Sequence, residues 1–154
     1  MHHIRRISLM ISVISALLLA LSAVTSAAWD TKVRGTNGDD DLTAQATEGR
    51  DRIFGRAGDD IIVGLGERDF IRGGKGADDI DGGEGDDKLL GNSGDDEIVG
   101  GPGRDKIRAG GGDDTILADD GERDRIQCGP GEDTVFADPN DWVANNCENV
   151  TIVI

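Results

Sequence analysis

Residues 73–99 read GGKGADDID, GGEGDDKLL and GNSGDDEIV, three nine-residue units in phase, and GGPGRDKIR from Gly100 and AGGGDDTIL from Ala109 continue them. Working outward, Asp51, Asp60, Asp69, Asp78, Asp87, Asp96, Asp105 and Asp114 recur every nine residues. An aliphatic residue follows each of them two positions later: Ile53, Ile62, Ile71, Ile80, Leu89, Ile98, Ile107 and Ile116. Asp40/Leu42, Asp124/Ile126 and Asp133/Val135 extend the series to eleven units with slightly irregular offsets. A fixed period this short means one small structural element stacked on itself.

Each unit divides by chemistry. Glycines reach φ > 0 and let a six-residue segment turn tightly enough for its carbonyls to converge. The remaining three residues are long enough for a minimal strand whose middle side chain faces inward. One unit is then a turn plus a strand, and two units make one coil of a flattened solenoid. A carboxylate at one phase of every loop, beside converging carbonyls, supplies the hard oxygen donors that calcium takes. A plain Asp-Gly turn explains any one of these pairs, but it does not require Asp at the same phase in all eleven.

The units match the pattern G-G-x-G-x-D-x-U-x, where U is a large apolar residue, which is similar to the RTX calcium-binding repeat. The chain resembles the RTX, or haemolysin-type calcium-binding, family from Gly35 to Phe136. That resemblance implies an all-β, right-handed parallel β-roll with two units per coil, with calcium held between loops of successive coils. The metal ligands it implies are Asp40, Asp60, Asp78, Asp96, Asp114 and Asp133 on one edge and Asp51, Asp69, Asp87, Asp105 and Asp124 on the other. Six loops on one edge leave five gaps and five on the other leave four, so nine calcium ions is the ceiling.

Alternate units differ in charge. Position five is Asp39, Asp59, Ala77, Asp95, Asp113 and Glu132 in odd units, but Arg50, Arg68, Asp86, Arg104 and Arg123 in even units. The expectation is a stronger calcium row on the odd edge, with arginines partly replacing calcium as counter-charge on the even edge. Glu67 and Glu122 replace the position-four glycine, and both loops are expected to distort. Extra residues near Ala44-Gln45 and at Ala118 read as bulges between units.

The termini read separately. Arg5-Arg6, the apolar run from Ile7 to Val24 and the small residues Thr25-Ser26-Ala27-Ala28 have the order of a secretory signal peptide, so 1–27 is expected to be removed. An uncleaved anchor is the alternative. Residues 28–34 form a lead-in, 35–136 the eleven-unit solenoid and 137–154 a C-terminal cap. Asp141 and Val143 resemble a shortened twelfth unit, Trp142 is a candidate cover for the last coil, and residues 150–154 alternate like a closing strand. Two cysteines, Cys128 and Cys147, read as a disulfide in an exported chain, one that would pin the cap.

The charge narrows the function classes. Only Arg5 and Arg6 of the 16 Lys+Arg, and none of the 31 Asp+Glu, precede Ala28, so the mature chain carries 14 − 31 = −17. That balance argues against nucleic acid, and against a membrane surface once the signal is gone. Without the repeat it would suggest disorder, and bound cations are what neutralise it. Beyond Ala28 there is no His or Tyr and one Ser, Ser93, which removes Ser/His, Cys/His and zinc chemistry. Stacked threonines for an ice-binding face are missing as well. The leading expectation is therefore a secreted, non-enzymatic calcium-binding protein that folds on binding calcium, a structural or adhesive extracellular module with an unknown partner or polymer. An accessory or carbohydrate-acting enzyme module is the alternative.

Overall fold

The computed structural model describes residues 31–43 and 46–154. The signal-peptide reading of 1–27 and the bulge near Ala44-Gln45 lie outside them. Thirteen short strands form two parallel sheets. The first contains β1 (Thr31–Arg34), β2 (Asp51–Phe54), β4 (Phe70–Lys75), β6 (Lys88–Ser93), β8 (Lys106–Gly111), β10 (Arg125–Gln127) and β12 (Trp142–Val143). The second contains β3 (Ile61–Val63), β5 (Asp79–Asp81), β7 (Glu97–Val99), β9 (Thr115–Ala118), β11 (Thr134–Ala137) and β13 (Asn149–Ile152). The chain crosses from one sheet to the other at nearly every loop, so each coil gives one strand to each sheet. This is the all-β parallel solenoid that the period implied.

Register follows the period. Ile71 pairs with Leu89 and Leu89 with Ile107 in the first sheet; Ile80 pairs with Ile98 and Ile98 with Ile116 in the second. Even-unit apolar residues thus form one inward row and odd-unit residues the facing row. From Leu42 to Val135 these side chains are at most 1% exposed. Full burial of each stabilises by roughly 1.5–3 kcal/mol. A slip of one residue would turn the entire row outward.

The sheets are not equivalent. β4, β6 and β8 continue beyond the minimal strand into the following odd loop, where Gly74, Asn92 and Gly110 stay in ladder register. The lead-in segment supplies β1, whose Val33 is buried against Ile53.

The loops bear on the glutamate expectation. Position-four Gly85 has φ 139°, and a side chain there would run into the Glu67 carbonyl. Glu67 itself occupies the left-handed region at φ 67°, beside Leu65 at φ 81°. The 64–69 loop therefore keeps the family turn, still stacked on Glu84, at a cost in backbone strain rather than in shape. The expected distortion is found only in the second case. There Glu122 donates its N–H to Asp120 Oδ1 at 2.9 Å, and Gly121 holds the turn at φ 94°.

At the C-terminus β12 pairs with β10, and Asp124 N–H bonds Asp141 Oδ1 at 2.8 Å, as a twelfth unit requires. β13 pairs with β11 as the closing strand. Trp142 does not cover the last coil. It immediately precedes inward-facing Val143, so strand alternation turns it out over the sheet, 47% exposed, with Arg125 above its ring at 4.6 Å. The last coil is closed instead by the Cys128–Cys147 disulfide, Cα–Cα 5.2 Å.

Candidate metal centre

Each ladder aspartate from Asp51 to Asp133 lies at a loop-strand junction, one residue before the strand or, for Asp51, at its first residue, and the coil repeat stacks it on its counterpart. Its Oδ1 accepts the backbone N–H of the aspartate one coil earlier: Asp51 N–H donates to Asp69 Oδ1 at 2.7 Å, Asp69 N–H to Asp87 Oδ1 at 2.7 Å and Asp87 N–H to Asp105 Oδ1 at 2.8 Å. The odd rank repeats this from Asp40 through Asp60, Asp78, Asp96 and Asp114 to Asp133, at 2.9–3.0 Å. All eleven candidate aspartates therefore fall into two ranks, one on each edge. The geometry brings each together with its coil neighbours and keeps the two ranks apart.

The second oxygen decides the chemistry. Oδ2 of Asp60, Asp69, Asp78, Asp87, Asp96, Asp105, Asp114 and Asp124 is buried with no hydrogen-bond partner. In the terminal units the same atom is satisfied by an amide of its own loop: Thr36 N to Asp40 Oδ2 at 2.5 Å, Thr47 N to Asp51 Oδ2 at 2.7 Å and Gly129 N to Asp133 Oδ2 at 3.2 Å. A buried, unpartnered carboxylate oxygen is costly. Eight of them along two ranks are a donor arrangement that a cation fits.

The surroundings of these atoms show which other oxygens lie near them. A methyl group at Gly82 would lie 2.7 Å from Asp87 Oδ2 and 2.5 Å from the Gly100 carbonyl oxygen. The same pair of oxygens faces Gly64, from Asp69 and Gly82. The position-one glycine leaves open the space on which a carboxylate and the next coil's carbonyl converge. Among the described residues no three His, Cys, Asp or Glu side chains cluster as metal ligands. A carboxylate oxygen beside a backbone carbonyl is a pair of hard donors, of the kind suited to calcium rather than to zinc.

Electrostatics agree. Burial pushes the carboxyls of Asp69, Asp87, Asp96, Asp105 and Asp124 up from the ordinary 3.8 to about 7, and those of Asp78 and Asp114 to about 6. Asp60 is raised for the same reason. The donated N–H from the preceding coil opposes the shift, and neighbouring carboxylates add to it. Of the even-edge arginines Arg68 relieves this strain slightly, opposing the rise at Asp87 as the smallest of the causes there. Arg68 pairs with Asp86 at 2.5 Å and holds that carboxyl below its ordinary range, while the even-rank Oδ2 atoms are as unpartnered as the odd-rank ones.

One ladder member escaped the sequence reading. Asp133 N–H bonds Glu148 Oε2 at 3.2 Å, so Glu148 takes the place of the next odd-rank aspartate. Glu148 precedes Val150 by two residues, the spacing of every Asp/U pair; a search admitting Glu at that phase would have found it.

The description RTX calcium-binding nonapeptide repeat (4 copies) matches residues 34–71, 57–89 and 90–123. The chain belongs to this family, whose repeats bind calcium generally and whose roll is a structural calcium-binding fold. No curated protein and no solved structure matches the chain.

Proposed function

We propose that this protein is an exported module that folds on binding calcium and serves outside the cell as a structural or adhesive element. The observation that carries the reading is the run of eight buried Oδ2 atoms without partners, four of which, on Asp60, Asp69, Asp87 and Asp96, lie beside a backbone carbonyl of the next coil. When bound there, calcium supplies the charge that lets two stacked ranks of carboxylates remain ionised inside a dry loop. The chain's own contribution is to hold Oδ1 in the inter-coil bond and aim Oδ2 into the loop. Asp40, Asp60, Asp78, Asp96, Asp114 and Asp133 would serve the odd row, Asp51, Asp69, Asp87, Asp105 and Asp124 the even row. Four unpartnered oxygens on each edge favour comparable rows over a dominant odd row.

Export is supported by the signal-like order of residues 1–27 and by the Cys128–Cys147 disulfide, a bond that persists in oxidising compartments. Extracellular calcium modules bind near ~10⁻⁴–10⁻³ M, so folding would wait for the calcium outside. Circular dichroism with and without chelator tests this, with calorimetric counting of calcium up to the ceiling of nine. The expected outcome is a disordered spectrum in chelator and β structure on adding calcium. A folded spectrum indifferent to chelator would refute the reading.

A further inference from the structure

The charge of this acidic chain is sharply segregated. Of the 16 Lys+Arg, Arg5 and Arg6 precede the described residues, and of the other 14 all but Arg56 and Lys75 lie on the first sheet's outer face or along its loop edge. They stand in ranks because the coils do. An outer rank at position five contains Arg50, Arg68, Arg104 and Arg123. An inner rank follows the strand register Phe70↔Lys88↔Lys106↔Arg125↔Trp142. Between the ranks runs a groove of ≈ 760 Å³, with the even-rank aspartates along its floor. Asp86 is the one acid in the outer rank, and Arg68 already neutralises it.

We infer that this groove binds a linear anionic polysaccharide, a polymer with carboxylates or sulfates on successive sugars. Parallel strands recur every ~4.8 Å, so the walls present a cation at nearly every level of the rod, a spacing close to the length of one pyranose residue. The net charge that argued against polyanions is an average over a rod whose two faces differ. A concave groove admits an extended chain, whereas the flat sheet of a second copy would rest on its rims. Lys88 lies over the Phe70 ring at 5.1 Å and Arg125 over the Trp142 ring at 4.6 Å, so each ring already stacks on a cation of the wall and the groove offers no succession of free rings for consecutive nucleobases. The inference rests on the calcium reading above, because the floor carboxylates repel an anion until a cation neutralises them.

Dextran sulfate and neutral dextran of equal length, titrated calorimetrically into the calcium-loaded protein, test it. Dextran sulfate is expected to bind and dextran not to. The combined variant Lys88→Gln/Arg104→Gln/Lys106→Gln/Arg123→Gln is expected to bind at least ~10-fold more weakly, since each wall cation contributes through released counter-ions. Its circular dichroism and calcium count should stay unchanged. Lys75→Gln, on the opposite edge, should bind as the parent does. Equal binding of both polymers, an unaffected fourfold variant, or stronger competition by single-stranded DNA of equal charge overturns the inference. So does self-association that the fourfold variant abolishes, which would assign the groove to a second copy. A chain with no calcium-dependent β spectrum overturns both readings; a folded, calcium-loaded chain that ignores dextran sulfate overturns this one alone.

Discussion

The backbone N–H of Asp69 donates to Oδ1 of Asp87, one coil further on, at 2.7 Å, while Oδ2 of the same carboxylate is buried without a partner. One side chain thus serves two purposes that substitution can separate. Asp87→Ala removes the acceptor and strands the Asp69 N–H, which costs about 1–3 kcal/mol with or without calcium. Asp87→Asn keeps an acceptor for Asp69 but puts a neutral amide where the charge was. In chelator at pH 7.5 the Asn variant is expected to keep more β structure than the disordered parent. In calcium it is expected to melt below it and to bind at least one ion fewer. Thermal melts followed by circular dichroism, with calorimetry, check both signs; parallel behaviour of the Asn and Ala variants would count against the division of roles.

Calcium-free stability should depend on pH in the direction opposite to that of most acidic proteins. Burial raises Asp69, Asp87, Asp96, Asp105 and Asp124 to about 7 and Asp78 and Asp114 to about 6, against an ordinary 3.8. Between those values the folded state binds more protons than the unfolded one, so stability falls as pH rises from about 4 to about 7. The expected outcome in chelator is more β structure at pH 4.5 than at pH 7.5, where the chain is disordered. Added calcium should reverse the order, because proton and cation compete for one oxygen. Far-UV circular dichroism at the two pH values with and without calcium checks it.

Space above the position-one glycines is a separate requirement from backbone freedom. Gly82 has no positive φ, yet a methyl group there would press on Asp87 Oδ2 and the Gly100 carbonyl at 2.7 and 2.5 Å. At Gly38 the same methyl group meets nothing within 4 Å. Gly82→Ala is expected to destabilise the roll by about 1–3 kcal/mol, the usual cost of overpacking, and to lower the calcium count. Gly38→Ala should leave both within error. Urea denaturation in saturating calcium compares them.

Much of this was legible in the sequence because a stacked repeat makes local and long-range order the same thing. Asp69 and Asp87 are eighteen residues apart in phase, so the pairing of one coil on the next follows from the period alone. The inward apolar row from Leu42 to Val135 was legible for the same reason. What escaped depends on places where the period is broken or silent. Glu148 replaces an aspartate outside the regular units. Glu67 accepts a left-handed backbone that general steric rules assign to glycine, because the coils on either side hold it there. The arginines at position five were read against the ladder as counter-charges, but alternation directs positions five and seven outward while position six turns in. Their charge therefore mainly lines a groove, and only Arg68 slightly offsets a carboxylate at its floor, that of Asp87.

The end of the rod is where the disulfide should matter. In a solenoid each coil contacts only its neighbours, so a terminal coil lacks half the support of an internal one. β13 is such a terminus: Val150 is 41% and Ile152 48% exposed on the open side of β11. Cys128 follows β10 and Cys147 precedes β13, so their bond ties the last two coils across a separation of 19 residues. In the chain-entropy account a loop of about this length contributes roughly 3 kcal/mol. Replacing both cysteines by alanine is expected to remove hydrogen-exchange protection from Val135 and Val150 first. Ile80 and Ile98, several coils away, should retain theirs in saturating calcium. Uniform loss of protection along the rod would show instead that the roll unfolds as one unit, with the cap holding every coil.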